Sequence, residues 1–186
     1  WLRSLSATAD DEHAIRRKVV RARGEHEAEE ALTALWEVED PRERIRLAEE
    51  LAAAHPDDAR ITYELAGTHD AAGEEDLPVA LYERALAAGL REPHRHRAQI
   101  QLASSLRNLG QVQAAESVIE DVAARHPESL GVAAFRALVQ HDAGHASQAL
   151  ADLLTAVVAA STDPDVARYR RALTASASAL REHPQG

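Results

Sequence analysis

The chain has no cysteine and no methionine, and its aromatic residues number two Trp, three Tyr and one Phe. Without cysteine there are no disulfides and no thiol chemistry, a usage that suits a cytoplasmic protein. With so few aromatics, a core has to be assembled from Ala, Leu and Val. Lysine occurs once, as Lys18, against twenty arginines, which reads as coding bias. No apolar run approaches the roughly 20 residues of a membrane-spanning helix, and the start lacks the apolar segment of a signal peptide. The expectation is therefore no membrane partner. A net charge of −10 and a pI near 5.4 lack the cationic footprint of a general nucleic-acid binder, so no nucleic-acid partner is expected either. No Gly-rich loop cradles a phosphate, and no Ser, His or Asp sits in a motif that places a nucleophile. The sequence therefore predicts no enzyme, no catalytic residues and no cofactor.

What the chain does have is alanine, roughly a fifth of its residues, and a periodic pattern. Alanine is the strongest helix former, and its small side chain lets helices approach closely. Around Gly110 the spacing predicts two helices folded back on each other. Leu102, Ala103, Leu106 and Leu109 form one apolar face upstream, and Ala115, Val118, Ile119 and Val122 form another downstream. Gly110 suits the tight turn because it takes positive φ without a Cβ clash, and Pro127 stops the second helix. A step of 34 residues reaches Gly144, with Ala137, Ala149, Leu153 and Ala156 in matching places. A step back of 37 reaches Gly73, with Leu65, Ala66, Tyr82 and Ala85; the extra loop residues fall around Arg91–Pro93. One more step of 34 lands on Glu39, with Leu32, Leu35, Ala48 and Leu51.

A helix–turn–helix unit repeating at 34 residues resembles the tetratricopeptide repeat family, from about Glu25 to Ser161. The stretches YELAGTHDAAG, LYERALAAGL and QLASSLRNLG are also similar to a group of small bacterial repeat proteins of unassigned activity. The resemblance implies an all-α fold: a right-handed α-α superhelix of about four repeats with N-terminal and C-terminal flanking helices. The expected divisions are 1–24 for a tail and flanking helix, 25–163 for repeats at 25–58, 59–92, 96–129 and 130–163, and 164–186 for a capping helix and tail. Departures from the family pattern are Arg136 where a buried Leu is usual, Gln140 where an aromatic or apolar residue is usual, Pro78 and Arg44 in place of Ala, and Glu39 in place of the turn glycine.

Along the chain, Trp1 to Ala9 is expected to be poorly ordered, and the start at Trp1 reads as a trimmed piece of a longer protein. The first helix should begin near Asp10 or Asp11, with Ile15, Val19 and Ala22 on one face and Arg16, Arg17, Arg21 and Arg23 elsewhere. Gly24 should kink it, and its basic cluster reads as a solvated face. Asp40-Pro41 and Thr162-Asp163-Pro164 start helices by capping and a first-turn proline, and Asp76 is expected to cap another before Pro78. In the last helix Val166, Tyr169, Leu173 and Leu180 form the apolar stripe, while Arg168, Arg170, Arg171 and Arg181 stay solvated. The tail after Glu182 should fray. Trp36 has two readings, a ligand contact on the concave side or packing against the preceding helix.

The resemblance implies that the first helix of each repeat lines a concave surface. The partner-binding residues expected there are Arg60, Tyr63, Asp70, Arg97, Ile100, Ser104, Arg107, Asn108, Leu138 and His141. Gly67, Ala134 and Asp142 lie in the same register. Independently, Arg97, Gln101, Ser104 and Asn108 form a polar stripe. Some members of the family grip a partner's terminal carboxylate with Lys, Arg and Asn; here those places hold Glu29, Thr33, Tyr63, Gly67, Ile100 and Ser104, which does not support that mode. Of the ten histidines, His141 and His145 are four apart, but the turn at Gly144 should separate them, and His94 and His96 do not share a helical face. No metal site is expected, and the histidines read as surface residues. The function expected is a protein–protein interaction scaffold for a peptide or helix of unidentified identity. The alternatives are a self-associating module, as a homodimer, or the adaptor or sensor part of a larger regulator.

Overall fold

The computed structural model describes residues 9–21, 25–74 and 76–183. Among them are ten α-helices and no strand: α1 (Ala9–Arg21), α2 (Glu25–Leu35), α3 (Pro41–Ala54), α4 (Ala59–Ala71), α5 (Asp76–Ala87), α6 (His94–Asn108), α7 (Val112–Arg125), α8 (Leu130–Asp142), α9 (Ala146–Ala160) and α10 (Pro164–Glu182). The all-α helical-repeat class follows directly. Two compact units divide the chain between Arg95 and His96.

In the first unit, local chemistry sets the helix ends. The Asp40 carboxylate accepts from the Arg42 amide at 3.0 Å, with Pro41 at the first helical position of α3. Asp58 does the same for α4, accepting from the Arg60 and Ile61 amides. These carboxylates satisfy amides that have no carbonyl partner inside the helix. Helix α3 ends before Pro56, and α4 turns into α5 through Gly73, whose φ is +78°. Asp76 is the first residue of α5 and therefore belongs to its first turn, where the expectation had it capping the helix from outside. Pro78 fits that turn, where its missing amide would have no helical partner.

The residues in matching places of the repeats form the core. Leu32, Leu35, Ala48, Leu51, Leu65, Ala66, Tyr82 and Ala85 are all buried. Ile15 and Val19 of α1 are buried as well, while Arg16, Arg17 and Lys18 are exposed. Ala22, Arg23, Gly24, residues 1–8 and the last three residues lie outside the described part, so the expectations made for them do too.

In the second unit, α7, α8, α9 and α10 pack in sequence order. Gly110 (φ +73°) and Gly144 (φ +87°) make the helix-to-helix turns. Leu102, Ala103, Leu106, Ala115, Ile119, Val122, Ala137 and Ala149 are buried, while Leu109, Val118, Leu153 and Ala156 are half-buried. Asp163 caps α10 through the Asp165 amide at 2.8 Å, with Pro164 next to it.

Helix α10 differs from expectation at Tyr169, which was placed on the apolar stripe and is 55% exposed; the buried residue of this helix is Ala177, beside half-buried Leu173 and Leu180. Arg181 stays exposed, as expected, and is bonded as well. Its guanidinium donates to the Asp152 carboxylate and the Thr155 hydroxyl, each at 2.9 Å, and ties α10 to α9.

Candidate interaction surface

Helix α4 carries the candidate residues of the first unit. Arg60, Tyr63, Gly67 and Asp70 follow one another at steps of three, four and three, which puts them on one helical face. None of the four is fully buried, whereas Ile61, Thr62, Leu65 and Ala66 between them are. Arg60 is ion-paired with Glu64 and lies over the Tyr63 ring, 5.5 Å from its centroid. Tyr63 packs in turn against Tyr82 and His94, with ring centroids at 6.1 and 5.6 Å. Asp70 is half-buried and accepts from the Tyr82 hydroxyl at 3.2 Å. Burial lifts its carboxyl above the usual carboxylate range, and the tyrosine hydrogen bond only partly opposes this.

Trp36 belongs to this face, although it stands just past the end of α2. Its indole Nε1 donates to the Glu64 carboxylate at 2.6 Å, and Arg44 covers the ring at 5.2 Å. A Cβ on Gly67 would lie 3.4 Å from the indole Cζ2, in van der Waals contact, so the ring edge lies close over this point of α4. Trp36 therefore packs forward onto α4 and still leaves 44% of its surface open. Glu64, only 8% exposed, holds both Trp36 and Arg60, so one buried carboxylate orients two surface groups. Sequence reasoning passed over Glu64. A glycine in the middle of a helical pattern, as Gly67 is, was the available sign of a close approach.

In the second unit, two helices present open faces. On α6, Arg97 and Asn108 are exposed, and Ile100, Ser104 and Arg107 are half-buried. On α8, Ala134, Leu138, His141 and Asp142 are exposed, Leu138 at 47%. Arg107 reaches across from α6 to donate to Asp142 at 2.8 Å and also to the Asn108 side chain at 2.9 Å. Asp142 accepts from His141 as well, and those hydrogen bonds, His141 first and Arg107 second, pull its carboxyl below the usual range. The cross-helix bond joins the two stripes into one surface.

A cavity of about 290 Å³ lies elsewhere in the second unit, walled by Ala123, Val132, Ala133 and Ala156 and bordered by Arg136, Asp152 and Arg181. Arg136 stands where the family usually buries a leucine. It reaches Glu120 at 2.7 Å and Asp152 at 3.2 Å instead. Gln140, the other polar departure, is buried, and its amide faces Asp152 at 3.5 Å.

The histidines divide. His141 closes α8 and His145 precedes α9, so the turn does separate them. His94 packs on Tyr63, and His96 packs on His126 with ring centroids at 4.8 Å. The surface expectation fails at His69, which is 4% exposed. Its Nδ1 meets Glu74 at 2.7 Å, and its Nε2 stands 4.0 Å from Glu49, which links α3, α4 and the turn after α4.

A family profile described as tetratrico peptide repeat matches residues 59–180. The chain belongs to that family. Among solved structures, this tetratricopeptide repeat chain is similar to a crystal structure of MamA protein, at 15% identity and a TM-score of 0.65 over 88% of this chain and 86% of that one. A MamA fragment from Desulfovibrio magneticus RS-1 matches at 17% identity and 0.63, over 87% and 94%. YrrB, described as a TPR protein with an unusual peptide-binding site, matches at 15% identity and 0.63, over 94% and 90%. At these identities the likeness concerns the fold. No curated protein gives a significant match. No described helix is long and apolar enough to cross a membrane.

Proposed function

We propose that this tetratricopeptide repeat chain is a protein-interaction module, without a catalytic role, that holds a peptide or helix of a partner on the open faces of its first helices. The observation that carries the reading is Leu138. Leu138, 47% open, stands one turn from exposed Ala134 on α8 and in the same register as half-buried Ile100 on α6, and together they offer apolar surface on the face the repeat register leaves uncovered. In the first unit, Trp36 plays the matching part: fixed on three sides and open on the fourth, it loses little freedom when a ligand covers it. YrrB, whose description names a peptide-binding site, shares the fold and is consistent with this use of it.

Replacement of Tyr63 and Leu138 by alanine tests the proposal. Both variants should keep the helical circular-dichroism spectrum and lose about tenfold or more in affinity for a peptide selected on the parent chain. Unchanged affinity in both would remove these faces from the account. A second reading, self-association, draws on Tyr169 and Leu150, both about half open on the outer helices of the second unit. Sedimentation equilibrium over a hundredfold concentration range decides it: a mass that stays at one chain rejects the dimer.

A further inference from the structure

The geometry points to an acidic segment as the occupant of the second unit's open face: an Asp or Glu side chain close in sequence to an aliphatic one. This rests on the reading of that face as a docking surface and assigns the partner's chemistry. Arg97, Ile100, Ser104 and Arg107 run along α6 at steps of three, four and three, and Ala134, Leu138 and His141 run beside them on α8. The Arg107–Asp142 bond holds the two rows together. The middle is therefore apolar, with Ile100, Ala134 and Leu138, and the arginines stand at the two ends.

The ends are not alike. Arg107 is committed to Asp142 and Asn108. Arg97 is exposed and makes no hydrogen bond or ion pair among the described residues. Asp142 matches Arg107, and no carboxylate among the described residues is paired with Arg97, so the face keeps one unmatched positive charge on a protein whose net charge is −10. Helix α6 also carries Arg97 in its first turn, with no acidic residue there. That guanidinium stands at the end of the helix whose dipole already favours anions, so the two repel and an anionic ligand relieves both. A cationic segment would meet Arg97 as a like charge, and a neutral one would cover it without pairing it.

The spacing sets the order of groups in the ligand. Three residues along a helix rise about 4.5 Å, roughly the reach of one to two residues of extended chain. The acid that meets Arg97 therefore lies within a few positions of the aliphatic side chain that meets Ile100 and Leu138. The acid is a side chain and not a chain terminus, because Ile100 and Ser104 occupy the places where the family sets its grip for a terminal carboxylate.

Selection from a random dodecapeptide library, displayed so that the peptide has no free C-terminal carboxylate, tests this. The baits are the full chain, Arg97→Glu and Leu138→Glu, each checked by circular dichroism; both positions are exposed, so both variants should fold. The parent chain is expected to enrich sequences with Asp or Glu within three positions of Leu, Ile or Val. A synthetic amidated copy of the leading sequence should lose at least tenfold in affinity to Arg97→Glu, and weaken when NaCl rises from 50 to 500 mM, concentrations over which screening tightens by about a factor of three. Enrichment of neutral or basic sequences, or equal binding by Arg97→Glu alongside loss in Leu138→Glu, would overturn the acidic assignment and leave the docking face standing. Enriched peptides that bind all three baits equally, or no enrichment on any bait, would overturn both.

Discussion

At the residue scale, two glycines that look alike in the sequence do opposite things. Gly110 sits at φ +73°, a region that costs a side-chain-bearing residue about 1–2 kcal/mol. Gly67 lies inside α4 with no positive φ, and a Cβ there meets the Trp36 ring edge at 3.4 Å and the Tyr82 hydroxyl at 4.0 Å, both ordinary contacts. Gly110→Ala should therefore lower stability by about 1 kcal/mol or more, whereas Gly67→Ala should raise it by about 0.5–1 kcal/mol, because glycine is a poor helix residue. Urea unfolding of the two variants gives both signs. The turn role of Gly110 was readable in advance, since it depends only on neighbours in the chain. The role of Gly67 was not, because it depends on Trp36, 31 positions away in sequence. The same reason hid Glu64, which reads as one more acidic residue in an acidic chain until its partners are known.

At the element scale, the outer helix α10 shows how short-range signals succeed and fail. Its start was legible because Asp163 and Pro164 act on their own helix. Its buried face was not, because in an alanine-rich sequence Ala177 has nothing to distinguish it from its exposed neighbours, and Tyr169 attracts the assignment by size. What fastens α10 is the group around Asp152, which receives Arg181 from α10, Arg136 from α8 and Gln148 from α9. Burial alone would raise the Asp152 carboxyl; the bonds from Gln148 and Arg181 and the Arg136 charge outweigh it and hold the carboxyl below its ordinary value. A folded value below that of an unfolded aspartate, about 3.9, gives stabilisation that is complete above that pH and disappears as pH falls through the lower folded value. Asp152→Asn should thus lower the melting temperature at pH 7, and the difference from the parent chain should shrink steadily below about pH 4. A constant difference across that range would mean that the charge contributes nothing.

At the scale of the whole molecule, the period of 34 carried most of the architecture, because a repeat buries its apolar face on the next one and so must keep its register. The places predicted for Leu32, Leu65, Leu102 and Ala137 are all buried positions. The open surface was less legible. Register says which helix face is left uncovered, but not which charges on it are already matched, and Arg107 and Arg97 are indistinguishable until Asp142 is seen beside one of them. Backbone chemical-shift mapping by NMR, with a peptide selected on the parent chain titrated in, tests the surface most directly. Changes should concentrate at Ile100, Ala134 and Leu138, on the first helices of the second unit. Changes centred instead on α7 and α9, with those three residues unmoved, would contradict the account.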